Sequence, residues 1–289
     1  MKNQRKNGKK RRGKGAAGLA RGAIYAAMTC TVLMLGWVVG QVLWLGVPNL
    51  TPALFSWEYR SENVSMLPAL LNTLELILLT LMMAVPVGIG TAICLVEYAR
   101  ADSRWVRVIR LMTETLQGIP SILFGLFGML FFCYALGWNV TLLSGAMTLA
   151  LLCLPLLIRA TEEALLAVPP SLREASYALG ASRLRTVFRV VLPAALPSIL
   201  SGLMLAIGRM IGETAALIYT AGTMPGLADP LHNGRTLAIH MYLLQTEGRN
   251  KPQAYATAAV LLLMACGIYF GADAMERRFR KKREGNGKN

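Results

Sequence analysis

Six long apolar stretches constrain this chain more than any other feature. They lie at 23–45, 67–96, 111–136, 140–158, 196–221 and 254–272. A helix rises 1.5 Å per residue, so each stretch reaches across a hydrocarbon core of about 30 Å. The expected fold is an all-α integral membrane protein with six transmembrane helices. Composition agrees, because 55% of the residues are hydrophobic and 16% are charged, too apolar a balance for an ordinary water-soluble domain. The second stretch is long enough to tilt or protrude.

The net charge of +15 raises the question of nucleic acid. The Lys and Arg residues fall in tails and short links, and no nucleic-acid-reading motif accompanies them, so no nucleic acid partner is expected. Nine lie before or at Arg21, four between Arg100 and Arg110, five in 159–193 and seven from Arg277 onward. The alternate links hold only Arg60, Arg235, Arg249 and Lys251. By the positive-inside bias, six spans leave both termini in the cytoplasm. The expected division is a basic tail at 1–22, a permease domain at 23–275 with an internal loop at about 159–193, and a second basic tail at 276–289. The basic tails suit anionic membrane lipid. The first stretch is too long for a signal-peptide core and is followed by Gly46-Val47-Pro48-Asn49, a poor cleavage site, so it reads as an uncleaved span.

Several candidate sites weaken on inspection. The five cysteines, Cys30, Cys94, Cys133, Cys153 and Cys266, sit in apolar stretches without CxxC spacing and read as small hydrophobic filler, with no metal site implied. His232 and His240 read as surface residues of an external segment at 222–253, in which 236–245 is semi-apolar enough for an interfacial helix. The string from Gly8 to Lys14 imitates part of a phosphate-binding loop. It ends in Gly15, where Ser or Thr would hold magnesium, and follows no strand. No cluster of His, Cys or paired carboxylates points to an enzyme.

The internal loop is the most patterned part of the chain. Glu174-Ala175-Ser176 is followed after three residues by Gly180, and after nine more by Val190-Val191-Leu192-Pro193. Ser171 is placed to cap a short helix with Glu174 as its capping-box partner, small residues let that helix approach a surface closely, and Gly180 can take the positive φ that ends it. An amphipathic helix lying on lipid headgroups is the plainer alternative. The spacing resembles the EAA signature of ABC importer permeases. That resemblance implies a type I ABC importer permease fold whose loop carries a coupling helix for a separate ATPase. Glu174, Ala175, Ser176, Gly180, Leu192 and Pro193 would be its coupling residues. ATP and magnesium would belong to that other subunit, and this chain would hold no cofactor.

Further blocks narrow the resemblance. Leu71-Asn72-Thr73, 84–90, Glu97-Tyr98-Ala99, Gly118-Ile119-Pro120-Ser121, 124–128 and 209–215 are similar to the phosphate-specific PstA permeases. This implies phosphate import with a PstC-like permease, a dimer of ATP-binding subunits and an extracytoplasmic phosphate-binding protein. Molybdate or sulfate import is the nearest alternative, and a secondary transporter a more distant one. Arg209 sits in the fifth stretch, with Glu213 one helical turn later on the expected helix. Two readings of this pair stand. It is an internal ion pair steadying a helix, or Arg209, Glu213 and Thr214 line an anion path, with Glu213 holding the guanidinium and accepting the hydroxyl proton of hydrogen phosphate. Glu75 and Tyr219 are weaker candidates, Glu114 suits a salt bridge, and Pro86 and Pro120 mark kinks or breaks.

Overall fold

The computed structural model describes residues 2–100, 103–248 and 250–286, with side chains described within 21–274 and at Arg277. The glycine–lysine string near Lys14, and most of the basic C-terminal run, lie outside the described side chains. Among the described residues there are helices and no strands. The long helices are α1 (Lys2–Gly46), α2 (Leu67–Ile93), α5 (Leu142–Leu166), α8 (Leu192–Gly212) and α11 (Lys251–Asn286). Between them lie α3 (Arg104–Gln117), α4 (Ser121–Gly128), α6 (Pro170–Ala178), α7 (Arg183–Thr186), α9 (Ala215–Thr220) and α10 (Leu237–Glu247). A π-helical turn extends α2 over Cys94–Tyr98, another extends α4 over Met129–Ala135, and a third at Val187–Val191 joins α7 to α8.

Five helices are long and apolar enough to cross a membrane, and the count reaches six when one bent pair is taken as a span. That pair corrects the expected third span at 111–136. The chain breaks after Gln117, and α3 meets the α4 unit at 103°. Pro120 explains the break: it disfavours helical backbone at Ile119 before it, while its own φ of −57° starts α4. Helix α3 is amphipathic, with Trp105, Leu111 and Met112 exposed. Its polar face is tied to α5 by Arg110–Glu162 at 2.5 Å and by Glu114–Arg159 at 4.0 Å, so Glu114 does find a salt bridge. The fourth span is longer than its apolar stretch, because its last turns carry Arg159, Glu162 and Glu163 beyond the apolar core.

The core is formed by α2, α5, α8 and α9, through Leu76, Leu149, Met210 and Leu217. A second cluster, with Ala92, Leu165, Val187 and Val191, fills the end of the bundle that carries α6 and α7, called here the basic end. Lipid removes much of the hydrophobic drive between spans, so close backbone approach matters more than bulk. At Gly125 on α4, an added Cβ would lie 2.6 Å from Cα of Ala216 on α9. Gly128, one turn on, faces Thr148 and Thr220. These contacts set α4 and α9 side by side in the same direction.

The opposite end is capped by 222–236 and α10. Asn72 donates to the carbonyls of Gly226 and Arg235 and accepts from the Ala228 N–H, while Thr73 accepts from the Leu237 N–H. The N–H groups of Leu142 and Leu143, which have no intrahelical partner at the start of α5, donate to His232 and Pro230. Helix α10 is not interfacial. Leu237, Ile239 and Leu244 are buried, and the helix packs on α11 and α2. By contrast α1 is exposed along most of its described side chains from Arg21 onward, Trp37 and Trp44 included, and meets α11 where Gly46 lies against Tyr255 and Ala259.

Replacing Gly125 with Ala forces α4 and α9 apart and costs about 1–3 kcal/mol, the range for overpacking a close contact. Gly90→Ala, whose Cβ would enter open space, serves as control. Melting of the detergent-solubilised chain is expected to fall for the first variant and hold or rise for the second.

Candidate functional site

Arg209 stands in the last turn of α8 and is half-buried. Its expected partner is elsewhere. Helix α8 stops at Gly212, and Glu213 is extended, with φ −72° and ψ 123°. The helical turn that would carry Glu213 beneath Arg209 is never completed. Glu213 instead accepts from the Ala216 N–H at 3.2 Å, placing a carboxylate on the otherwise unsatisfied first turn of α9. No carboxylate among the described residues lies within 4.0 Å of the Arg209 guanidinium. The ion-pair reading of Arg209 and Glu213 is therefore corrected. Thr214, partly exposed, occupies the break between the two helices.

Arg209 lines a cavity of about 750 Å³ between α5, α8 and α11. Gly208 and Ser201 of α8 and Tyr269 and Asp273 of α11 share its wall, whereas Glu213 and Thr214 do not. An uncompensated charge at the middle of a span costs about 2.5–3.5 kcal/mol on insertion scales. The cavity wall is mostly apolar, but the cavity is open on one side, and Ser201, Tyr269 and Asp273 contribute polar groups to it beside the guanidinium. Sequence reasoning missed Tyr269 and Asp273, because they lie at the end of the last apolar stretch and resemble an ordinary interfacial belt.

The break beside Glu213 has a neighbour. Because α4 and α9 run side by side, the interruption at 118–120 lies next to the one at 213–214. Two adjacent spans thus change course at neighbouring levels, each just before the close Gly125–Ala216 contact.

At the basic end, α6 follows α5 after a tight turn. Its N-cap position is Pro169 rather than Ser171, and no capping box forms. Glu174 and Ala175 are exposed and free to meet a partner. Ser176 is buried, and its hydroxyl bonds that of Thr186 at 2.9 Å. Gly180 takes φ +78° as expected. The Ala181 N–H bonds the Ser176 carbonyl and the Gly180 N–H bonds that of Tyr177, a Schellman stop. Leu179, just before it, is 89% exposed. Leu192 and Pro193 open α8, where a missing proline N–H is tolerated.

The binding reach of α6 is set by a residue the sequence did not single out. Arg173 donates through Nε and Nη2 to Glu97 Oε1 at 3.0 and 2.8 Å. It also donates to the carbonyls of Val168 at 2.8 Å and Leu165 at 2.9 Å. Glu97 is buried at the end of α2, and the neighbouring Tyr98 ring lies 5.3 Å beneath the Arg183 guanidinium. The block Glu97-Tyr98-Ala99 was visible in the sequence, but its partners were 76 residues away.

An outward-facing helix held between two spans, with an arginine-bearing groove along α8, fits a membrane transport component. The chain belongs to the family described as "Binding-protein-dependent transport system inner membrane component", which matches residues 84–281. It is thus a multi-pass protein of the inner membrane and a permease subunit of an ABC importer. Within that family its relatives include PstA permeases. It is 37% identical over 210 residues to the phosphate transport system permease protein PstA of Mycobacterium leprae, covering 71% of this chain and 68% of that one. It is 30% identical over 263 residues to PstA of Haemophilus influenzae, covering 87% and 91%. It is also 40% identical over 193 residues to the probable ABC transporter permease YqgI of Bacillus subtilis, covering 62% of this chain and 65% of the relative, so the match spans just under two thirds of that protein. The fold matches a solved MetNI methionine ABC transporter with a TM-score of 0.59 at 22% identity, covering 82% of this chain and 97% of that one.

His240, expected at the surface, is wholly buried in α10 against Tyr59 and Arg235. Burial, and then the Arg235 charge, push its pKa down from 6.5 to about 3. The folded chain therefore resists protonation that the unfolded chain accepts. The neutral imidazole's contribution to stability is complete above pH 6.5 and is lost as pH falls from there towards 3. Between pH 7.5 and 4.5, melting of wild type is expected to drop further than melting of His240→Leu. Equal drops would contradict the assignment.

Proposed function

We propose that this chain is the PstA-like half of an ATP-driven importer of inorganic phosphate. The observation that carries the reading is Arg209, a permanent cation in a span, open to a cavity and without a carboxylate within 4.0 Å among the described residues. A guanidinium offers two parallel donors to the oxygens of a tetrahedral oxyanion and stays charged at every physiological pH. The PstA names of the relatives support phosphate as the cargo. Glu213 contributes by holding the break in α8–α9 rather than by gripping Arg209, and Thr214 lies beside it.

In this reading the basic end and both termini face the cytoplasm. The α6 surface of Glu174, Ala175 and Leu179 docks on a dimer of ATP-binding subunits, which hold the ATP and magnesium. A PstC-like permease supplies the other half of the path, and a phosphate-binding protein docks at the opposite end, over α10 and 222–236. Molybdate or sulfate would satisfy the same guanidinium, so substrate choice is a matter for measurement. A secondary transporter would leave the displayed α6 without a purpose.

The test is ATP-dependent uptake of labelled phosphate by the complete complex in vesicles, with assembly followed by co-purification. Losing a charged hydrogen-bonding partner weakens an interaction by about 1.5–3 kcal/mol, so Arg209→Ala should cut uptake by roughly 10- to 100-fold in an assembled complex. Arg209→Lys should retain part of it. Gly180→Val, which places a β-branched residue at positive φ, should disturb α6 and reduce uptake without altering the Arg209 cavity. Uptake of sulfate or molybdate in place of phosphate would overturn the cargo, and full activity in Arg209→Ala would overturn the path.

A further inference from the structure

Helix α6 lies beyond the spans at the basic end and is tied to three of them. Its Arg173 makes four hydrogen bonds inward, to Glu97 at the end of α2 and to the carbonyls of Leu165 and Val168 at the end of α5. Its Ser176 bonds Thr186 on α7. Helix α7, the π-helical turn and α8 form one continuous rod from Arg183 to Gly212, which ends beside Arg209. We propose that Arg173, held by Glu97, is the positioning residue that passes motion of α6 to α2 and α5 during transport. The proposal rests on reading α6 as the docking helix of a separate ATPase.

The physical case lies in the kind of contact. Apolar side chains slide past one another at little cost, so an apolar seat would let α6 shift while the spans stayed still. A guanidinium satisfied on three nitrogens by fixed acceptors permits neither translation nor rotation without breaking several charge-assisted bonds at once. The Glu97 carboxylate is 4% exposed, so water cannot readily replace Arg173 as its partner. The π-helical turn at Cys94–Tyr98, closed by the Ala99 N–H on the Cys94 carbonyl at 2.8 Å, adds a residue to the last turn of α2 and sets the face from which Glu97 projects. Arg183 over the Tyr98 ring adds a second link between α2 and the α7–α8 rod. Glu174 and Leu179 stay exposed on the same helix, so the outward surface and the inward clamp are separate sets of residues.

The experiment uses the complete complex in vesicles, with Glu97→Gln, Arg173→Lys and the exchanged pair Glu97→Arg with Arg173→Glu. Three quantities are measured: co-purification of the subunits, ATP turnover without substrate, and phosphate delivered per ATP hydrolysed. The clamp predicts an assembled complex in which Glu97→Gln raises substrate-free ATP turnover, because closure no longer has to move the spans. It also predicts that phosphate per ATP falls about tenfold, a change within the usual range of coupling free energies, and recovers in part in the exchanged pair. Unchanged turnover and unchanged phosphate per ATP in an assembled Glu97→Gln complex would overturn the inference. So would loss of assembly in both single variants, which would make the contact an anchor only. A wild-type complex that hydrolyses ATP but moves no phosphate would contradict the phosphate reading alone, and the substrate-free turnover would still decide the clamp.

Discussion

A chain inside lipid must satisfy its own backbone, because an N–H or C=O without a partner costs several kcal/mol there. This protein interrupts two of its spans, and at each interruption the freed backbone groups find partners close by. At 213–214, Glu213 takes the Ala216 N–H, so the start of α9 is not left bare. At 118–120, proline removes one donor, the Gly118 and Ile119 N–H groups reach the Thr115 and Leu116 carbonyls, and α4 restarts on the Pro120 carbonyl. The two breaks sit next to one another because Gly125 lets α4 lie against the backbone of α9. The course of α8, and with it the position of Arg209, depends on that arrangement.

The same constraint links the two ends of the molecule. Arg209 ends a rod that begins near Thr186, which Ser176 of α6 holds. Arg173 ties the same short helix to α2 and α5. Displacement of α6 therefore has a route to the cavity wall through hydrogen bonds and rigid helix, with no need for a flexible relay. At the far end, Asn72 and Thr73 hold the cap to the beginning of α2, so that helix carries the clamp at one end and the cap at the other.

Much of this was legible in the sequence, for physical reasons. Apolar length marks spans, and the spaced Glu174–Gly180–Pro193 pattern marks a helix, its stop and the return to the membrane. Gly180 takes its positive φ because no other residue does so as cheaply. Four things were not legible. Apolar content does not report a change of direction, so 111–136 looked like one span although Pro120 turns it. Spacing of four between Arg209 and Glu213 implies a shared face only while the helix continues, and it ends at Gly212. Burial of His240, and the meeting of Arg173 with Glu97, arise from contacts between distant segments that local pattern cannot show.

In the function proposed for this chain, Arg209 faces a water-accessible path rather than lipid. Gly208, beside it on the same cavity wall, provides the probe, since a side chain added there meets nothing within 4 Å. In a background with the five native cysteines replaced, Gly208→Cys in the assembled complex would be exposed to a charged, membrane-impermeant thiol reagent, with and without phosphate. Thiolates form in water and not in hydrocarbon, so the account predicts modification that phosphate slows. A cysteine that stays unmodified in every state of the transport cycle would place Gly208 and Arg209 against lipid and contradict it.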